Sequence, residues 1–304
     1  MAEAPVTPSP QPIIKTTDKE AFVWIWLPDA KEPELRLKPG VLPLLDGLTM
    51  PGCIRDSAPD AWGRRVIINK KLGSKGKDSD TDPLGELTYL LESGSDRIGA
   101  LDFQRSPSEY VPRSANNVPL EELLQSAARV EQGVPLTPER DQALFHGSSI
   151  GGARPKALIE YQGRGEDQGT KYVAKFSSRT DLYSVVKAEY IAMQLAALAG
   201  INVAHVKLLQ AAQKDVLLIE RFDREKTTQA MLISGDNRLS KLKSCLDAAP
   251  HFQLTESEAK VVFEKQREAI ESNWNKVCDE ANLSVVDRKL FWKRQFLNAF
   301  AFED

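Results

Sequence analysis

The stretch Gly147–Tyr161, GSSIGGARPKALIEY, decides how the chain is read. It joins a glycine-rich turn to a basic residue and then to an apolar run of strand length. Glycines at such a turn let backbone N–H groups approach an anion closely. Two common phosphate-binding patterns do not fit it. A Walker A loop needs G-x-x-x-x-G-K-[ST], and neither GSSIGGARPKA nor the second glycine-bearing stretch, Gly73–Ser79 (GSKGKDS), has that spacing. A dinucleotide fold needs a helix N-terminus at the phosphate, whereas the residues after Gly152 read as a strand.

A third arrangement does fit in order. Glycines between two strands cover the phosphates, a lysine on a following strand pairs with them, and a glutamate on the next helix holds that lysine. The chain supplies Gly151 and Gly152, a strand, Lys175 in YVAKF, and Glu189 in the helix after it. The same order also describes a plain hairpin turn followed by a surface lysine, and spacing alone does not separate the two.

Working outward, Ala21–Asp29 (AFVWIWLPD) and Pro33–Gly40 (PELRLKPG) read as strands. Asp56–Leu72 (DSAPDAWGRRVIINKKL) predicts a helix from Pro59 or Asp60, with Trp62, Val66 and Ile67 on one face and Arg64 and Arg65 solvated or paired with Asp. PLGELTYLLES predicts a short helix and IGALDFQR a strand, closing a β-rich N-terminal subdomain over 21–105 behind a flexible Pro-rich arm, 1–20. LEELLQSAARVEQG predicts an amphipathic helix stopped at Gly133. DLYSVVKAEYIAMQLAALAG predicts another, with Ala188, Ile191, Ala192, Leu195, Leu198 and Ala199 as its apolar stripe. INVAHVKLLQ and DVLLIERFD read as two strands joined by AAQK. Thr255 and Glu258 form a capping-box pattern, opening a helix with Phe263, Ile270, Trp274 and Val277 on one side. Ser284 opens a last helix carrying Trp292, Phe296 and Phe300.

The chain has 304 residues, a net charge of −3 and a hydrophobic share of 41%. A chain so slightly acidic is not an autonomous nucleic-acid binder, although it can reach DNA through a basic partner. Its three cysteines, Cys53, Cys245 and Cys278, are widely spaced with no CxxC, which argues against a disulfide framework or zinc site and for a reducing cytoplasm. No apolar run reaches transmembrane length.

Five stretches occur together in one order: DSAPDAWGRR, SIGGARPKA, YVAKF, AEYIAMQLAALAGINVA and LLIERFDR. In this the sequence resembles the HipA family, serine/threonine kinases of bacterial toxin–antitoxin modules. The likeness runs from about Phe22 to Arg224 and resumes near Gln229. It implies a mixed α/β fold with a β-rich N-terminal subdomain, a kinase-like small lobe over 118–225, and a mainly helical, truncated large lobe over 226–304. It implies that Ser149, Ile150, Gly151 and Gly152, within the loop to Lys156, cover the phosphates of ATP, and that Ser149 is open to self-phosphorylation. Lys175 then pairs with the phosphates, supported by Glu189, and backbone groups near Glu220 and Phe222 meet the adenine at the hinge. The implied partner is an antitoxin-like helix-turn-helix repressor that makes the DNA contacts. The family's substrates include proteins of the tRNA-charging machinery, and nothing in this sequence selects one.

Transfer needs more than a cradle: an Asp at the substrate hydroxyl, and Asp or Asn side chains on magnesium. The family carries these after the hinge. Here only His251 of the three histidines lies there, and no Asp follows it in a catalytic-loop pattern. The sequence passes from hinge-like ERFDR to QAML, which resembles the segment beyond the metal-binding Asp, so both catalytic stretches are missing between them. Asp236 and Asn237 in SGDNRLS read as an Asx-capped turn rather than a metal site. The expectation is a HipA-like kinase homologue that is catalytically defective, holds ATP weakly and lacks magnesium ligands. Three others stay open: an interaction module docking the repressor, a kinase completed by another chain or by an unrecognised local arrangement, and a product that does not fold stably.

Overall fold

The computed structural model describes residues 22–25, 50, 52–73, 84–97, 101–113, 118–136, 144, 152, 154–160, 169–221 and 241–303. The chain is mixed α/β and divides into two compact units, residues 1–171 and 172–304. The N-terminal arm, the strand expected at Pro33–Gly40 and the segment 222–240 lie outside the described residues.

In the first unit β1, Phe22–Ile25, pairs antiparallel with β2, Leu101–Gln104, so that Phe22 faces Gln104. Among the described residues the ribbon is accompanied by α1 (Gly52–Ser57), α2 (Ala61–Leu72), α3 (Glu86–Glu92) and α4 (Leu120–Gln132). Helix α2 begins where its cap dictates. Asp60 is extended, and its side chain accepts from the Gly63 N–H at 2.8 Å, satisfying one of the orphan donors of the first turn. The face carrying Trp62, Val66 and Ile67 is buried, as its periodicity predicts. Arg64 pairs with Glu86 at 2.7 Å, and its guanidinium lies over the Tyr89 ring. Helix α4 stops at Gly133, whose φ of +66° is left-handed backbone that closes the helix end.

A buried charge network ties the ribbon to these helices. Asp102 is fully buried, and its carboxylate accepts from Arg113 (2.7 Å), Phe103 N (2.8 Å), Gln104 Nε2 (2.8 Å) and Arg97 Nε (3.4 Å). Arg97 also donates to Ser57 O at the end of α1 (2.8 Å) and to Leu90 O and Ser93 O at the end of α3. Burial pulls the Arg97 guanidinium down to about 10, opposed by Asp102, so the group stays charged at neutral pH. No sequence period announces this knot, because arginine and aspartate are ordinarily surface residues.

The second unit opens with β4 (Lys171–Phe176) and continues with α5 (Val185–Leu198), β5 (Val206–Ala211) and β6 (Lys214–Glu220); β3, Lys156–Glu160, belongs to the first unit. Strand β6 pairs antiparallel with β4 on one side and β5 on the other. The hairpin β5–β6 turns on Ala212 and Gln213, both with positive φ, +46° and +61°. That conformation matches the twist of a two-residue hairpin but normally recruits Asn or Gly.

Helix α5 is shorter than its periodicity suggests and does not include Asp181–Ser184. It buries Val186, Ile191 and Leu195, while Ala192 and Leu198 of the expected stripe are exposed. The reason is its partner. Ile191 and Leu195 pack on Trp274, Val277 and Cys278 of α7 (Glu256–Glu280), with Ala281, Leu283 and Phe291. One helix seats a narrow ridge on α5, so only part of a wide apolar stripe is covered. Preceding α7 is α6 (Leu242–Ala248); following it is α8 (Val285–Phe291). The capping box at Thr255 and Glu258 forms in full, with reciprocal hydrogen bonds of 2.8 and 3.2 Å.

The last helix also ends early. Trp292 leaves the helix and the chain turns back, with Lys293 at φ +62° and Leu297 at φ +50°. A continued helix would separate Trp292 and Phe296 by a full turn. The reversal instead sets both rings 4.9 Å from Trp274, and leaves Phe300 half-exposed. Packing on one tryptophan outweighs helical continuity here.

Two measurements check this architecture. Ala212→Gly relieves left-handed strain at a Cβ-bearing residue and raises stability by about 1 kcal/mol in urea denaturation. Burial pushes the Cys278 thiol up to about 11, so alkylation of the native protein at pH 8 leaves Cys278 unmodified while Cys245, half-buried, reacts. Because the folded thiol titrates above the unfolded value of 9.0, its contribution to stability is complete below pH 9 and is lost as pH climbs toward 11.

Candidate functional site

The described end of the glycine-rich stretch is fastened rather than loose. Lys156, the first residue of β3, has a side chain only 2% exposed. Its Nζ donates to Asp60 Oδ2 at 3.0 Å and to Gly152 O at 2.8 Å. Asp60 thereby divides its carboxylate, one oxygen capping α2 and the other meeting the lysine. Trp62, fully buried in the first turn of α2, donates its indole N–H to Lys156 O at 2.9 Å and its backbone N–H to Gly152 O at 3.4 Å. Gly152 sits at φ +101°, a backbone conformation that side-chain-bearing residues rarely adopt. Lys156 therefore acts first as a fastener: two of its donors hold protein oxygens.

In the second unit Lys175 lies on β4 and Glu189 on α5, and Lys175 Nζ donates to Glu189 Oε1. The two side chains are 28% and 31% exposed, so the pair borders solvent. Along β4 side chains alternate, and Val173 shares Lys175's face while Tyr172, Ala174 and Phe176 turn to the other. Beside β4 runs β6, with Tyr172 opposite Glu220 and Lys175 opposite Leu217. The N–H of Glu220 donates to His205 O at 2.9 Å, so a base edge meeting Glu220 would do so through its carbonyl.

The model of the HipA-like C-terminal domain family matches residues 148–302. The chain belongs to that family. Among solved structures it is similar to HipA of the toxin–antitoxin system of Shewanella oneidensis MR-1, determined with HipB and its operator DNA, at 20% identity and a TM-score of 0.31. The match covers 56% of this chain and 41% of that one, so this HipA-like chain spans less than half of the solved protein's length. No curated protein matches the chain.

Of the residues expected at a nucleotide site, the structure brings Lys175 and Glu189 into contact and places Glu220 at the end of β6. Gly152 lies in the first unit against Lys156. Ser149, Ile150, Gly151 and Phe222 lie outside the described residues, as do Asp236 and Asn237. Sequence reasoning missed Asp60 as the partner of Lys156. The available signal was an Asp at a helix N-cap within DSAPDAW, but the partner is 96 residues away and no local pattern links them.

Because the Lys175–Glu189 pair borders solvent, its worth to the fold is small. Glu189→Gln lowers stability by less than about 1 kcal/mol in urea denaturation. A larger loss would make the pair a structural element of this unit.

Proposed function

We propose that this HipA-like chain is a toxin–antitoxin kinase homologue that binds ATP weakly and does not transfer its phosphoryl group. The observation that carries nucleotide binding is the Lys175–Glu189 pair on a strand and helix that flank the β6 end. Lys175 would meet the phosphates, and the carbonyl of Glu220, with Phe222 beyond it, would meet the base. Bound ATP would supply a phosphoryl group; this chain's residues supply charge and a strand edge.

The defect is argued from the chain after the hinge. His251 lies there on an exposed 3-10 turn, Ala249–Phe252, with no Asp or Asn following in a catalytic-loop order. Polyphosphate charge is then compensated by Lys175 with little help, which favours weak binding. The resemblance to the family, which implies that catalytic segments are absent between Arg224 and Gln229, supports the same reading.

The second reading is an interaction module that docks an antitoxin-like helix-turn-helix repressor. The net charge of −3 favours leaving DNA contact to such a partner. A cytoplasmic location accords with three unpaired-pattern cysteines, and no helix among the described residues is long and apolar enough to cross a membrane.

Thermal melts with and without ATP and magnesium test the proposal, since a ligand that binds only the folded state stabilises it. The expected result is a cooperative melt that ATP shifts upward, lost in Lys175→Ala, with no phosphate incorporated into any protein. ATP-dependent phosphorylation that Lys175→Ala abolishes overturns the defect. A cooperative melt indifferent to ATP overturns nucleotide binding and leaves the docking role.

A further inference from the structure

We propose that the outer edge of β5, Val206–Ala211, pairs antiparallel with the same strand of a second copy of this chain, about a two-fold axis at Leu208. The pairing uses residues of the second unit alone and does not rest on the nucleotide reading.

β5 ends its sheet, with β6 on one side. The Glu220 N–H donates to His205 O at 2.9 Å, which makes His205 and Glu220 a hydrogen-bonded pair. Such pairs recur at every second residue of an antiparallel ladder, so the register assigns the backbone groups of Lys207, Leu209 and Ala211 to β6. Those of Val206, Leu208 and Gln210 then point away from β6, and no backbone partner meets them among the described residues. A row of alternating outward donors and acceptors is complemented by another extended strand. No proline or glycine interrupts Val206–Ala211. Leu208 packs on the cluster of Ile191, Leu195 and Trp274, so the edge is held in shape before anything pairs with it.

The parity of the edge favours a second copy as the occupant. With the axis at Leu208, Leu208 meets Leu208, and Val206 meets Gln210 of the other copy. Every pair in that register brings outward groups onto outward groups. Lys207 then lies opposite the second copy's Leu209, whose side chain is 41% exposed. The lysine's methylenes cover that leucine, and no like charges stand directly opposite. Edge lysines ordinarily block such pairing. This one leans inward, with its Nζ 5.5 Å from the centre of the Tyr172 ring on β4, across β6 from the outer edge. The pairing is closed, because each copy's edge occupies the other's.

A strand pair this short makes a weak interface, so the full chain is sedimented from about 5 to 500 µM, with amide hydrogen exchange over 206–210 followed at both ends of the series. The expected result is a mass that rises toward twice the monomer, with slower exchange at the higher concentration. Val206→Pro removes an outward donor without touching the ladder to β6, and is expected to abolish both effects. Leu209→Lys sets a like charge opposite Lys207 at two symmetric places and weakens association about fivefold, whereas Leu209→Glu strengthens it. These two variants serve if Val206→Pro does not fold. A monomer at every concentration with fast exchange overturns the proposal. A monomer with slow exchange throughout also overturns it, because the chain then covers its own edge. A dimer that none of the variants alters uses another surface and overturns it too. Masses beyond the dimer overturn the closed pairing, and Leu209→Lys behaving like Leu209→Glu overturns the register at Leu208.

Discussion

A lysine amine cannot be buried alone, and the first unit is arranged around that constraint. Removing an ammonium from water costs several kcal/mol unless an opposite charge and further oxygens replace the lost hydration. Lys156 meets both demands through Asp60 and Gly152 O. Satisfying the lysine fixes the start of α2, the start of β3 and the end of the glycine stretch in one move. Trp62 reinforces the joint, since its ring fills the core while its N–H groups reach Lys156 O and Gly152 O. A few angstroms from the sequence motif that looks like a charged surface run, the chain has placed a paired interior charge.

The same economy recurs at Arg97 and Asp102. One guanidinium bridges the ends of α1 and α3 and the ribbon strand β2, satisfying carbonyls that helix ends leave without intrahelical partners. In the second unit apolar packing takes over. Trp274 of α7 gathers Trp292 and Phe296, and Ile191 and Leu195 of α5 lie in the same cluster. Against that core stands the half-exposed Lys175–Glu189 pair, which contributes little to folding and is thereby available for charge recognition. A pair placed where it is not needed for stability is a better candidate for function than one whose loss unfolds the unit.

Much of this was legible along the chain because it depends on neighbours in sequence. Caps at Asp60, Thr255 and Ser284, the stop at Gly133, the buried face of α2 and the hairpin around Ala212 and Gln213 follow from hydrogen-bonding groups within a turn or two. The Lys175–Glu189 contact was also readable, since a strand lysine followed by a helix glutamate has one common geometry. Where sequence reasoning went astray, a distant partner decided. Leu198 belongs to a good helical stripe yet is exposed, because α7 covers only one ridge of α5. Phe296 keeps helical spacing from Trp292 yet sits across a reversal, because Trp274 offers both rings a face.

The family and, over the described residues, the order of strands and helices follow from the chain's own letters. Those are local or collinear properties, written in caps, periods and motif order. Which lysine is spent inside the protein and which is left at the surface follows from packing instead. Lys156 and Lys175 are alike in sequence, but burial turns one into an anchor for Asp60 and leaves the other facing Glu189 at the solvent border. An amine's role is set by how much water it keeps and which carboxylate replaces the rest, and chain position encodes neither.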